Sequence, residues 1–216
     1  MKTALVFGAT GLVGNHITKK LLDNNNYSKV KVFVRRSIGF QHPKLEEHLV
    51  DFEFLKNWRV DLTGDELYSA LGTTIKKAGS KISQFKIDYT YQYEVACAAS
   101  DNGIKKYLLI SSIGANHKSK NFYLSIKGKL EEDVQKLAFE KIFIFRPSFL
   151  AGERGEKRIA ESIGIKIAGA TTKVIPALHK YHPVEAEKVA EFMIKTANKN
   201  FEERIKIFES DEILNG

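Results

Sequence analysis

Tyr123 and Lys127 stand four residues apart, a spacing that puts both side chains on one face of a helix. An ammonium beside a phenol favours the phenolate, so the spacing predicts a tyrosine with its pKa lowered from about 10. Such a tyrosine can exchange a proton with a substrate carbonyl or alcohol. Ser111 precedes Tyr123 by twelve residues, and a hydroxyl there can hydrogen-bond the reacting oxygen. The pair alone says little. Eight tyrosines, with lysine at about one position in eight, predict one chance match, and Tyr27 with Lys31 is a second copy. Context separates the two: Tyr27 and Lys31 straddle a turn and a strand, whereas Tyr123 opens a helix after a strand that ends in Ser111-Ser112.

A second set of residues lies at the N-terminus. Thr3 to Phe7 is a short apolar run, and a helical pattern starts near Leu12 with Val13, Ile17, Leu21 and Leu22 on one face. Gly8, Gly11 and Gly14 lie between and within them. Strand, glycine turn and helix in that order make a dinucleotide-phosphate site: Gly8 permits the turn, Gly11 admits the pyrophosphate and Gly14 lets helix and strand pack closely. The backbone from Thr10 to Gly14, including Leu12 and Val13, faces the anion with helix N–H groups and a positive dipole. The second strand, Val30 to Val34, ends in Arg35-Arg36. Guanidinium groups there suit the 2′-phosphate of NADP, where an acidic residue would suit NAD. Asp51 and Phe52 are placed to flank an adenine, and Leu71 at the end of the fourth strand, with Gly72 and Thr73 after it, is expected to contact the cofactor.

The elements that must position these groups alternate. Strands are expected at Thr3–Phe7, Val30–Val34, Leu49–Phe52, Glu66–Leu71, Lys106–Ser111, Ile142–Arg146 and Ile205–Phe208. Helices are expected from Leu12, at Phe85–Asn102, Phe122–Ala138, Arg158–Ile167 and Val184–Asn198. Such alternation implies an α/β fold, a Rossmann-type doubly wound parallel sheet with helices on both faces. One domain over residues 1–216 is expected, with 147–183 as the substrate-side segment. Ligands in such sheets lie beyond the strand C-termini, so the loops after Phe7, Val34, Phe52, Leu71, Ser111 and Arg146 should line the site. Phe149, Leu150, Arg154 and Tyr181 are candidates for a substrate wall.

Composition narrows the classes. Apolar residues make up 43% of the chain, as in a soluble globular protein. No apolar run approaches the ~20 residues of a membrane span, and no membrane partner is expected. Met1-Lys2 leads straight into a strand, without a signal-peptide pattern. Cys97 is the single cysteine, so no internal disulfide can form; that fits a reducing cytoplasm, and Cys97 reads as core. The net charge is +8, with 27 of 34 basic residues lysine, yet the lysines are scattered with few interleaved aromatics. A solvated surface, not a nucleic-acid interface, is the expectation. His179 and His182 lack a neighbouring Cys or carboxylate pair, and Pro183 ends any helix there, so no metal is expected.

GATGLVG, the LLISSIGA strand end, Tyr-x-x-x-Lys and the FRPS strand end together resemble the short-chain dehydrogenase/reductase superfamily. ALGTT, the stretch SSIGA to NFYLSIKGKLE, and FRPSFLAGER are similar to its atypical Tat-interactive-protein-2-like members, which bind NADPH. The resemblance implies Ser111, Tyr123 and Lys127 as a catalytic triad, Gly8, Gly11, Gly14, Arg35 and Arg36 as cofactor residues, and a loop Gly72–Ser83 over the nicotinamide side. It also shows a departure. Many members carry an Asn on the helix before the fifth strand, and residues 85–101 contain none. The expected function is NADPH-dependent reduction of a small carbonyl compound. The alternatives are an NADP(H) sensor that signals to a protein partner, and a nucleoside-diphosphate-sugar epimerase. Arg35-Arg36 and the short segment after Pro147 disfavour the epimerase.

Overall fold

The computed structural model describes residues 1–148, 150–151 and 182–216. In chain order the strands are β1 (Lys2–Phe7), β2 (Tyr27–Val34), β3 (Leu45–Leu49), β4 (Glu66–Ser69), β5 (Lys106–Ile110), β6 (Lys141–Arg146), β7 (Leu150–Ala151), β8 (Val184–Glu185) and β9 (Ile205–Glu209). The helices are α1 (Leu12–Asp23), α2 (Ile75–Ala78), α3 (Lys81–Phe85), α4 (Tyr91–Asp101), α5 (Phe122–Val134), α6 (Ala186–Ala197) and α7 (Ser210–Asn215). Seven strands make one sheet in the order β3-β2-β1-β4-β5-β6-β9, every neighbouring pair parallel, while β7 and β8 pair separately. The order reverses between β1 and β4, and a ligand crevice opens at such a reversal, beyond the strand ends.

Alternation along the strands feeds two apolar layers. Ala4, Val6, Val30, Val32, Leu108 and Phe143 pack with Ile17 and Leu21 of α1 and with Val189 and Met193 of α6. Leu5, Phe7, Phe33, Leu67, Tyr107 and Leu109 pack with Val95 and Ala99 of α4 and with Leu130 and Val134 of α5. A strand covered on both faces is mostly apolar, which is why Ala4–Phe7 and Tyr107–Ile110 read as unbroken runs; the buried Glu66 and Ser69 of β4 are hydrogen-bonded to Tyr27 and Gln92.

Several boundaries move. The third strand is Leu45–Leu49, not Leu49–Phe52. The Asp51 carboxylate accepts the Glu53 N–H at 2.9 Å and starts a 3-10 turn, which rolls Phe52 into the core. β4 ends at Ser69, β5 at Ile110 and α5 at Val134. The helix expected from Phe85 begins at Lys81 and passes through a π turn, Lys86–Thr90, before α4. The helix expected at Arg158–Ile167 lies outside the described residues, as do Phe149, Arg154, His179 and Tyr181.

Candidate active site

Glycine geometry shapes the turn after β1. Gly8 has φ +85°, and a Cβ on it would come 2.4 Å from the Ala70 carbonyl oxygen. A Cβ on Gly14 would come 2.1 Å from the Gly8 carbonyl oxygen. Both obstacles are backbone, so neither position admits a side chain. Gly11 differs: it is exposed, caps α1 with φ −83°, and a Cβ there would stand 3.0 Å from the Gly8 oxygen. No side chain caps α1 and no acidic residue lies in its first turn. The helix therefore opens with unmatched N–H groups at Leu12 and Val13 and an uncompensated positive dipole, beside exposed Thr10. Val13 itself is buried and offers backbone alone. This cradle fits a dinucleotide pyrophosphate.

Arg35 and Arg36 are exposed at the end of β2, and neither forms a hydrogen bond or ion pair among the described residues. Asp51 and Phe52 are differently employed. Asp51 caps its turn, and its carbonyl accepts the Trp58 indole N–H at 2.9 Å. The Phe52 ring is buried among Phe7, Trp58 and Tyr91.

The Leu71–Thr73 loop is pinned from behind. Asp88, fully buried in the π turn, accepts the Thr73 N–H on Oδ1 at 2.8 Å and the Gln84 amide on Oδ2 at 3.1 Å. Leu71 packs on the core, while Gly72 is exposed. A Cβ on Gly72 would stand 3.6 Å from Asp88 Oδ1 and 4.0 Å from Lys127 Nζ.

Asn121 caps α5 by accepting the Tyr123 and Leu124 N–H groups at 3.0 and 3.2 Å. That cap holds Tyr123 in the first turn of α5, half-buried, with Lys127 one turn on and 3% exposed. Ser111 extends the β5–β6 ladder, its N–H donating to the Phe145 carbonyl at 2.7 Å. Its hydroxyl oxygen is buried without a hydrogen-bond partner among the described residues. Ser112, also buried, is the serine whose hydroxyl acts on the Tyr123 phenol. The expected lowering of the Tyr123 pKa is not found. Burial, followed by the Asp88 carboxylate, pushes the phenol well above its usual range, and only Ser112 opposes them. Helical spacing reports what shares a face of α5, but not the carboxylate arriving from the neighbouring helix.

The second Tyr-x-x-x-Lys copy lies at the other end of the sheet. The Tyr27 hydroxyl donates to Glu66 at 2.6 Å inside a buried cluster with Tyr68 and Asn198. Lys31 instead reaches the Asp61 carbonyl and the Thr63 hydroxyl at 3.2 and 2.9 Å. Cys97 is half-buried, and burial pushes its thiol up, away from nucleophilic use.

Asp88, Gln92 and Ser112 were not singled out in the sequence. A signal for two of them was present: Gln84, Asp88 and Gln92 recur every four residues along an otherwise apolar helix face.

Residues 8–200 match the family described as NAD(P)H-binding. The "Protein fmp52, mitochondrial" of Aspergillus fumigatus is 36% identical over 197 residues, covering 88% of this chain and 84% of that one. Among solved structures, the Bordetella bronchiseptica enzyme WbmH in complex with NAD+ superposes with TM-score 0.69 at 15% identity, covering 97% of this chain and 76% of that one. A UDP-N-acetylglucosamine 4-epimerase from Methanobrevibacter ruminantium superposes with TM-score 0.67 at 16% identity, covering 96% and 76%. At these identities the structures share the fold. The relative's mitochondrial name overturns the expected cytoplasmic location. A lone cysteine excludes an internal disulfide, but it does not choose among compartments. From the glycine cradle, the parallel sheet and the match over most of its length, the chain belongs to the NAD(P)H-binding family, together with the fmp52 protein of Aspergillus fumigatus.

Proposed function

We propose that the protein is an NADPH-dependent reductase of a small carbonyl compound, with Tyr123 as proton donor. One observation carries the reading: Tyr123 and the buried Lys127 lie a turn apart on α5, and Lys127 Nζ faces Gly72 in the loop after β4. Both sit on the crevice side of the sheet, with Ser111 and Ser112 beyond the end of β5. A bound dihydronicotinamide supplies the hydride. The chain's own groups do the rest. Tyr123, held protonated by burial and by Asp88, gives its hydroxyl proton to the substrate oxygen. The unpartnered Ser111 hydroxyl has a free proton with which to orient the carbonyl. The Lys127 side chain makes no hydrogen bond or ion pair among the described residues, so its ammonium N–H groups are left for the bound ligands. Arg35 and Arg36, exposed at the end of β2, supply the charge for a 2′-phosphate.

The test is a screen of aldehydes, ketones and quinones with NADPH, followed by Tyr123→Phe on any substrate accepted. Tight NADPH binding with no carbonyl reduced would defeat the reductase and favour a cofactor sensor.

A further inference from the structure

Asp88 is a fully buried carboxylate to which the proposed reaction gives no contact with substrate or cofactor. Both its oxygens accept hydrogen bonds, one from the Thr73 N–H at 2.8 Å and one from the Gln84 amide at 3.1 Å. Gln84 also donates to the Thr73 carbonyl at 3.3 Å, so loop and helix are sewn together at two points. The Gln92 amide takes the Asp88 main-chain oxygen at 2.9 Å, and the Ser69 hydroxyl donates to Gln92 at 2.8 Å. This chain of contacts runs from the end of β4, through the π turn, to the loop that follows β4. A π turn carries an extra residue and recurs at functional sites.

Lys127 approaches from α5. It is 3% exposed and forms no direct ion pair among the described residues. A buried ammonium needs a compensating charge. Asp88 supplies it across the bare Cα of Gly72, which Asp88 Oδ1 and Lys127 Nζ both face. The titratable groups that bear on Asp88 are Lys127 and Tyr123, both on α5. The loop and α3 contribute the neutral Thr73 N–H and Gln84 amide.

We propose that Asp88 is a positioning residue of this site: its carboxylate fixes the Gly72–Thr73 turn beside the Lys127 ammonium and supplies the negative charge that ammonium needs. The proposal rests on reading Tyr123 and Lys127 as the reacting pair, and it assigns what holds that pair and the adjoining loop in register. It also accounts for a carboxylate where an amide would satisfy Thr73 equally well. An amide at this position would leave Lys127 without a counter-charge. The same charge bears on Tyr123, where it disfavours the phenolate.

The test uses the cofactor-free protein and reads three quantities that involve no turnover. Carbon-13 NMR of the Asp88 carboxyl, assigned by its loss in Asp88→Asn, should titrate about one pH unit higher in Lys127→Met than in the parent. In Asp88→Asn, a phenolate absorbance that vanishes in Asp88→Asn/Tyr123→Phe should appear at lower pH than in the parent. Amide exchange at Thr73 should quicken about tenfold or more in Asp88→Ala and less in Asp88→Asn, which keeps an acceptor. An unmoved Asp88 midpoint, an unmoved phenolate, or unchanged Thr73 exchange overturns the proposal. If Asp88→Ala does not fold, the carboxyl and phenolate measurements decide alone. Loss of turnover in Tyr123→Phe reports on the reaction and not on Asp88, so either reading can fail while the other stands.

Discussion

The carbonyl oxygen of Ala70 occupies the space a side chain on Gly8 would need, 2.4 Å from where its Cβ would stand. The Ala70 N–H donates to the Phe7 carbonyl at 2.9 Å, so the end of β1 and the loop after β4 are locked together at the glycine turn. Gly8→Ala must therefore move backbone and also adopt φ +85°. It should cost at least about 2 kcal/mol, read as a lower urea midpoint. Gly11→Val meets an ordinary φ and an exposed position, so the fold should survive while NADPH binding fails. Normal NADPH affinity in Gly11→Val would refute the phosphate cradle.

Cofactor choice turns on Arg35 and Arg36. Two exposed guanidinium groups with no hydrogen bond or ion pair among the described residues should favour a 2′-phosphate, giving at least about tenfold tighter binding of NADPH than NADH. Calorimetric titration of both cofactors checks this, and Arg35→Ala with Arg36→Ala should remove most of the difference. Equal affinities in the parent would count against NADP.

Tyr123→Phe keeps the ring and deletes one hydroxyl. Turnover of an accepted carbonyl should fall about 10²-fold or more, with NADPH affinity unchanged. Parent-like turnover would remove Tyr123 from the mechanism. Tyr27→Phe is an instructive comparison but not a silent one. It deletes a buried hydrogen bond to Glu66, so stability should drop by roughly 1–3 kcal/mol while turnover per folded molecule holds.

Asp133 sets an acid-side pH dependence. Its hydrogen bond to Lys136 is the largest influence on its carboxyl, ahead of those from Tyr89 and Lys129, and the carboxyl sits at about 2. The folded state thus releases this proton more readily than the unfolded chain, whose value lies near 3.8. The stabilisation is present above that value and is lost as the pH falls through about 2. Urea midpoints of the parent and Asp133→Asn should differ at pH 6 and converge toward pH 2. The difference should be small, because the Lys136 partner is 63% exposed and water screens the pair. A gap that persists at pH 2 would assign it to packing instead.

What the sequence determined by itself was local. Apolar runs such as Leu5–Phe7 and Leu108–Ile110 named the central strands because a strand covered on both faces is mostly apolar. Gly8 and Gly14 declared themselves because no other residue fits where backbone meets backbone. The Tyr123–Lys127 face followed from helical pitch alone. What only the tertiary structure decided were the encounters between elements distant in sequence. The Leu45–Leu49 edge strand has too weak an apolar pattern to read, and it is placed by pairing with β2. Tyr27 and Lys31 share the spacing of Tyr123 and Lys127, yet the Tyr27 hydroxyl is held by Glu66 at the opposite end of the sheet. Burial of the Tyr123 phenol, followed by the Asp88 carboxylate from a different helix, pushes its pKa in the direction opposite to the one that spacing on one helix predicts. Charge acts through space across Gly72, and no pattern along a single element encodes which groups the fold will bring to face one another.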